Sequence, residues 1–213
     1  KQLVSICNRY GWRVGVHVVG DLGIDHVLDA LESADKEKSI RDRRFVLIHA
    51  SLIRPEQMER AHSLGVRIDF QNVFMWDKAA TVERFLGRPT ADRAVPTRTL
   101  IAKMGLDSLG AGTDFPVNPI NPFLNMYIMV TRKDPNGSVY GASEAIGREQ
   151  ALRLYTSAAS HYTFEEAQKG RIGPGKLADF VVLSADYMAV PEEQIKDIKA
   201  DLTLVGGKVV FQR

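Results

Sequence analysis

Residues 45–71 read FVLIHASLIRPEQMERAHSLGVRIDFQ, and this stretch decides the fold class. An apolar run at residues 45–49 is followed by a helical pattern that begins at Pro55, and a second β-branched run covers residues 66–70. Proline is favoured in the first turn of a helix, and Gly65 is suited to end one. The stretch therefore predicts a strand, a helix and a second strand, which together form the repeating unit of a parallel α/β sheet.

The same alternation continues on both sides of this stretch. Two more strands are predicted, at residues 12–17 and 107–111. Further helices are predicted over residues 21–34, 97–104, 122–131 and 148–160. Residues 72–96 show no regular hydrophobic period and are predicted to be irregular. Four strands that alternate with helices predict a parallel sheet with right-handed crossovers.

The end of the chain changes character. A strand over residues 178–183 is followed by two runs at residues 202–205 and 208–211, joined by Gly206-Gly207. Two glycines between apolar runs are typical of a β-hairpin with a two-residue turn. An isolated hairpin is marginally stable in water, so we expect these strands to join a larger sheet.

The composition describes an ordinary globular chain. Its 213 residues include 28 Lys and Arg against 26 Asp and Glu, which gives a formal net charge of +2. So balanced a charge offers no electrostatic reason to expect nucleic acid or a membrane as a partner. The single cysteine, Cys7, excludes an internal disulfide, and no apolar run approaches the roughly 20 residues that span a bilayer. The cytoplasm is therefore the default compartment.

Polar side chains stand at the carboxyl ends of the predicted parallel strands. His17 and His49 end the first two strands, and Gln71 and Asp114 follow the third and fourth. Because the carboxyl ends of parallel strands face one side of a sheet, we expect these side chains to converge. Two imidazoles and a carboxylate suit a divalent transition metal such as zinc, and a nearby carboxylate can accept a proton from water during hydrolysis.

Each of these residues also has a purely structural interpretation. A single histidine at a strand end commonly forms structural hydrogen bonds, and Asp114 could hold the turn that contains Thr113 and Pro116. It is the repetition of polar residues at successive strand ends that favours a site. The sequence contains neither of the common glycine-rich phosphate loops nor a G-x-S-x-G elbow, so those chemistries have little support.

Several motifs resemble those of the amidohydrolase superfamily. His17-Val18-Val19-Gly20-Asp21 resembles the H-x-x-G-D element on the fifth barrel strand, and His49 resembles the sixth-strand histidine. GTDFPV at residues 112–117 resembles the G-[ST]-D-x-P-V loop after the eighth strand, and residues 173–183 and 205–210 are similar to the closing segment. The most similar branch is amidohydrolase family 3, which contains the N-substituted formamide deformylase-like enzymes. Shorter matches to that branch are Asp92-Arg93, Thr131-Arg132 and the helix at residues 150–156.

The resemblance implies a fold. Residues 1–170 would form the C-terminal half of a TIM-like (β/α)8 barrel, strands 5 to 8 with their helices, and residues 171–213 the closing strands of a small β-sandwich domain. The superfamily's first-strand H-x-H pair and a further ligand near the fourth strand would lie upstream of this sequence. Because a half barrel exposes two sheet edges, we expect self-association or association with the missing N-terminal half.

The resemblance also implies a chemistry. Such enzymes hydrolyse non-peptide, amide-type carbon–nitrogen bonds of small molecules with water activated by one or two divalent metal ions, most often zinc. By this resemblance His17, His49 and Asp114 are metal ligands, Asp114 also carries the proton from water to the leaving amine, and Gln71 lies near the substrate. With the upstream ligands absent, we expect the isolated chain to be inactive.

Two positions depart from the family pattern. Ile48 stands where the family usually has Glu, and Asn72 stands where it usually has Pro. We expect Ile48 to alternate away from His49 along the strand, so that metal ligation survives. These departures motivate an alternative, a non-catalytic amidohydrolase-like protein that binds or regulates. A third hypothesis is a hydrolase of the same superfamily that attacks ring amides or aminated bases.

Overall fold

The computed structural model describes the whole chain, Lys1 to Arg213, as two β-sheets and the helices that accompany them. Four parallel strands form the first sheet in chain order: β1 (Gly15–Val19), β2 (Val46–Ser51), β3 (Arg67–Phe70) and β4 (Leu109–Ala111). Three antiparallel strands form the second: β5 (Phe180–Leu183), β6 (Ala200–Val205) and β7 (Lys208–Gln212). The predicted parallel sheet and the predicted C-terminal hairpin are both present.

Nine α-helices connect these strands. They are α1 (Gln2–Arg9), α2 (Asp21–Glu37), α3 (Pro55–Ser63), α4 (Phe74–Leu86), α5 (Arg88–Asp92), α6 (Thr97–Met104), α7 (Pro122–Thr131), α8 (Arg148–Tyr155) and α9 (Ser157–Tyr162). Short 3₁₀ turns lie at Arg41–Arg43, Leu106–Ser108, Ala142–Glu144 and Glu192–Asp197. None of the helices combines the length and the apolar character needed to cross a lipid bilayer.

The core lies between the parallel sheet and the helices that cover one of its faces. Ile68 and Phe70 alternate along β3 and are fully buried there. From α2, Ile24, Leu28 and Leu31 pack into the same cluster, at the three- and four-residue spacing of an amphipathic helix. Each such side chain contributes about 1.5–3 kcal/mol when it is fully buried. The strands thus present their other face, with its polar residues, away from this core.

Several local signals act as the sequence predicts. The helices predicted at residues 97–104 and 122–131 begin and end where α6 and α7 do. Gly65 follows α3 with φ +67°, and a Cβ there would lie 2.1 Å from the carbonyl oxygen of Arg41, so only glycine fits. Gly206 and Gly207 both have positive φ, as a two-residue type I′ hairpin turn requires.

The prediction that residues 72–96 are irregular is wrong. They contain α4 and α5, separated by Gly87 at φ +81°. Aromatic and β-branched residues such as Phe74 and Val82 weaken the intrinsic helix propensity of this stretch. Met75 and Ala79 are nevertheless buried one turn apart against the core. Tertiary packing rather than local propensity therefore accounts for α4.

Other boundaries also differ from the prediction. The helix expected over residues 148–160 is broken at Thr156, where φ is −126° and ψ is −92°, so that α8 and α9 are separate. β1 extends to Val19 and β2 to Ser51, which places His17 and His49 inside their strands rather than at the ends.

Arg132, directly after α7, joins the segment between α5 and α6 to the segment that follows α7. Its side chain is fully buried, and its backbone is left-handed with φ +58°. Nε donates to the carbonyl of Tyr140 and Nη1 to that of Val95, both at 2.9 Å, and Nη2 lies 3.5 Å from the carbonyl of Asp92. Burial lowers the pKa of Arg132 to about 10, so the guanidinium remains charged at neutral pH.

We expect Arg132→Met to lower the free energy of unfolding by about 3 kcal/mol, because buried carbonyls would lose their donors. Denaturant unfolding measures this difference. Arg84→Met is the matched control, since Arg84 is exposed and only stacks on Phe85; its effect should stay within about 0.5 kcal/mol. Equal stability of the two variants would contradict the role assigned to Arg132.

Candidate functional site

His17 and His49 lie side by side on neighbouring strands of the parallel sheet. β1 and β2 pair so that His17 is opposite Ile48 and Val18 is opposite His49. The two imidazole centroids are 4.6 Å apart, and the rings meet edge to face at 80°. His17 is exposed, whereas His49 is only 5% exposed and also contacts the ring of Phe74. The structure thus brings together the two histidines that the sequence singles out.

A left-handed backbone interrupts the regular alternation of β2 at this point. φ is +72° at His49, +47° at Ala50 and +67° at Leu52, values that are uncommon for residues other than glycine. Ile48 is the register partner of His17, so it lies on the same face of the sheet as His17. The simple alternation expected for Ile48 and His49 therefore does not describe this segment. Backbone strain of this kind is concentrated at functional sites.

Gln71 fixes the orientation of the His49 ring. Its Oε1 lies 2.6 Å from Nδ1 of His49, and its Nε2 donates to the carbonyl of Asp69 at 3.3 Å. The second contact orients the amide, so Oε1 is the atom that faces the imidazole. An amide oxygen can only accept, so Nδ1 of a neutral His49 carries the hydrogen and Nε2 keeps its lone pair. Gln71, expected near the substrate, has His49 as its partner here.

Asp114 follows β4 in a turn built from main-chain atoms. Its φ is +59°, and its carbonyl accepts hydrogen bonds from the amides of Val117 at 2.8 Å and Asn118 at 3.4 Å. The Asn118 side chain donates to the carbonyl of Thr113 at 2.9 Å. The half-buried Asp114 carboxylate takes no part in these bonds. The turn therefore does not explain why this position carries a carboxylate.

Asp69 is a further carboxylate on this face, and it is not among the site residues predicted from the sequence. One position on each of the four strands lies in a single row across the sheet. In order from β1 to β4, these register partners are His17, Ile48, Asp69 and Gly110. Register partners share one face of a sheet. Burial raises the pKa of Asp69 to about 6; His49 lowers it and the charge of Asp114 raises it. One feature of the sequence could have identified Asp69: it is a carboxylate between two apolar residues, Ile68 and Phe70, in a strand with alternating polarity.

The side chains of His17, His49 and Asp114 meet some of the requirements of a divalent transition-metal site. Imidazole and carboxylate are the ligands that zinc accepts in such sites, and Nε2 of His49 is available because Nδ1 is occupied. No three His, Cys, Asp or Glu side chains of the chain form a group that could hold a metal ion. The chain thus assembles a histidine pair but not the set His17, His49 and Asp114, whose role as ligands stays a prediction.

Comparison with known sequences gives one family over nearly the whole chain. A profile of the amidohydrolase family matches residues 1–211. YtcJ of Bacillus subtilis (strain 168) is 32% identical over 215 residues, which cover 100% of this chain and 40% of YtcJ. The N-substituted formamide deformylase of Arthrobacter pascens is 26% identical over 208 residues, covering 97% of this chain and 38% of that enzyme.

Comparison with solved structures also gives hydrolases. An uncharacterized metal-dependent hydrolase from Pyrococcus furiosus superposes with a TM-score of 0.67 and 31% identity, over 82% of this chain and 34% of that one. A second, from Pyrococcus horikoshii OT3, gives a TM-score of 0.75 and 28% identity, over 90% of this chain and 38% of that one. The chain spans 34–40% of the length of these four relatives.

Proposed function

Since the chain belongs to the amidohydrolase family, we propose that it forms part of a metal-dependent hydrolase of amide-type carbon–nitrogen bonds in small molecules. The observation that carries this proposal is the histidine pair, with ring centroids 4.6 Å apart and Nδ1 of His49 engaged by Gln71. The similarity to an N-substituted formamide deformylase and to two metal-dependent hydrolases supports it.

We further propose that the parallel sheet is half of a closed barrel. It has four strands where a TIM-like barrel has eight, and the relatives are more than twice as long as this chain. Residues 1–170 would then belong to the barrel and residues 171–213 to a small β-domain. The other half would enclose the exposed ring of His17 and supply further ligands. The chain alone would associate with that half or a second copy, and would show no turnover.

Each candidate site residue of this chain would have its own role in the reaction. A divalent cation, in this family most often zinc, would lower the pKa of water and polarise the scissile carbonyl. His17 and His49 would hold the cation, and Gln71 would keep the His49 ring in its ligating orientation. Asp114 would also bind the cation, accept the proton of water at its carboxylate and pass it to the leaving nitrogen. The bonds that hold its turn go to its main-chain carbonyl and not to its carboxylate.

A substrate panel tests this function on the full-length protein loaded with zinc. N-formyl amines, N-acyl amines, ring amides and aminated bases would be compared for release of the amine or ammonia. We expect turnover of open-chain amides that a chelator abolishes and added zinc restores. Turnover confined to ring substrates would favour the third hypothesis. Stoichiometric metal without any turnover would favour the non-catalytic alternative, which Ile48 motivates.

We expect Gln71→Leu to weaken zinc affinity about 10- to 100-fold, because the His49 ring loses the acceptor that fixes its tautomer. Competition with a chromophoric chelator measures the affinity in the full-length protein. Gln2→Leu is the control, since Gln2 is exposed in the first turn of α1. If Gln71→Leu binds zinc as tightly as the control, Gln71 does not position His49.

A further inference from the structure

The carboxylate of Asp69 reaches the candidate site without a partner of its own. No donor of the chain bonds to it, and it belongs to none of the ion pairs of the structure. Its Oδ1 lies 3.5 Å from the point where a Cβ on residue 112 would stand, and Nε2 of Gln71 lies 3.6 Å from that point. Because residue 112 is glycine, this space beside the loop that carries Asp114 stays open.

The groups that surround Asp69 include no fixed cation. From β2 it faces His49 and from the loop after β4 it faces Asp114. From α8 and α9 it faces two phenols. Burial raises the pKa of Tyr155 to about 12 and also raises that of Tyr162, and the charge of Asp69 adds to both effects. Asp69 is half-buried, and a carboxylate that is withdrawn from water is costly unless a cation or several donors pair with it.

We infer that Asp69 recognises a protonated amine on the substrate, so that the enzyme acts on amides whose other end is a primary or secondary ammonium. This inference rests on the proposed function, because it assumes that the face of His17, Ile48 and Asp69 is where substrate binds. An ammonium supplies the charge and the N–H donors that the open carboxylate lacks. Charged hydrogen bonds of this kind change affinity by about 10- to 100-fold.

A matched pair of formamides tests this recognition. N-formyl-1,4-diaminobutane carries a terminal ammonium, and N-formylpentylamine has a methyl group of similar size in the same place. With full-length, zinc-loaded protein, we expect the cationic compound to bind and to react about 10- to 100-fold better, in both Kd and kcat/KM. Asp69→Asn should bring this ratio close to one. Asp42→Asn, an exposed carboxylate in the first 3₁₀ turn, should leave it intact.

The outcomes separate the inference from the function on which it rests. A ratio near one in the wild-type protein, or a ratio that Asp69→Asn leaves unchanged, would overturn the recognition by Asp69. Zinc lost from Asp69→Asn, measured as metal content, would also overturn it, because Asp69 would then be a metal ligand. Selective binding of the cationic compound without hydrolysis of either one would refute the proposed function and support the recognition.

Discussion

The His17→Ala variant of the full-length protein is expected to lose metal-dependent amide hydrolysis, with kcat/KM at least about a thousandfold below the wild-type value. That factor corresponds to about 4 kcal/mol of transition-state stabilisation, which is within what a bound metal supplies. His17 is the informative position because its ring is exposed on the open face of β1. Its removal therefore leaves the hydrophobic core intact, whereas His49 is buried against Phe74.

Steady-state kinetics on an open-chain formamide measures this loss. His62→Ala is the control, since His62 is an exposed histidine on α3, away from the site. The far-ultraviolet circular dichroism of both variants should match that of the wild-type protein. A kcat/KM of His17→Ala within threefold of the control would show that the histidine pair has no part in the reaction.

Asp114→Asn is expected to lower kcat by about 10²- to 10⁴-fold, because an amide cannot take up and deliver the proton. The substitution preserves the turn for two reasons. The turn uses the main-chain carbonyl of residue 114, and asparagine tolerates the positive φ found there. A loss of rate therefore reports on the carboxylate and not on the loop.

Metal content measured on the same Asp114→Asn samples separates the two roles given to this residue. Retained zinc with a reduced kcat assigns the loss to proton transfer, and reduced zinc assigns part of it to ligation. Asp42→Asn again serves as the control, because Asp42 is exposed at a distant turn. If kcat of Asp114→Asn stays within threefold of the wild-type value, Asp114 is not the group that moves the proton.

Much of the fold follows from local sequence signals. The β-branched runs around Val46 and Ile68 and the turn at Gly206-Gly207 predict both sheets, because burial and positive φ each demand particular residue types. Helix α4 was not predicted, because its formation depends on the packing of Met75 and Ala79 against other elements and not on a local pattern. No local pattern marked the break at Thr156 either.

The candidate site was predictable in part. Position at the ends of successive predicted strands indicated His17, His49, Gln71 and Asp114, and the family resemblance implied the role of each. The bond from His49 to Gln71 depends on the left-handed backbone of β2, which only the assembled sheet reveals. The side-chain role of Arg132 was equally hidden: the sequence match marks the residue, and the structure shows that it binds three carbonyls in two separate segments.

The metal content of the full-length protein tests the central claim most directly. The protein would be purified without chelator beside His17→Ala and His62→Ala, and bound metals would be counted by mass spectrometry. We predict at least one divalent ion, most often zinc, per chain in the wild-type protein and in His62→Ala, and a large loss in His17→Ala. Equal metal content in all three, or none in the wild-type protein, would contradict the assignment of the histidine pair as a metal site.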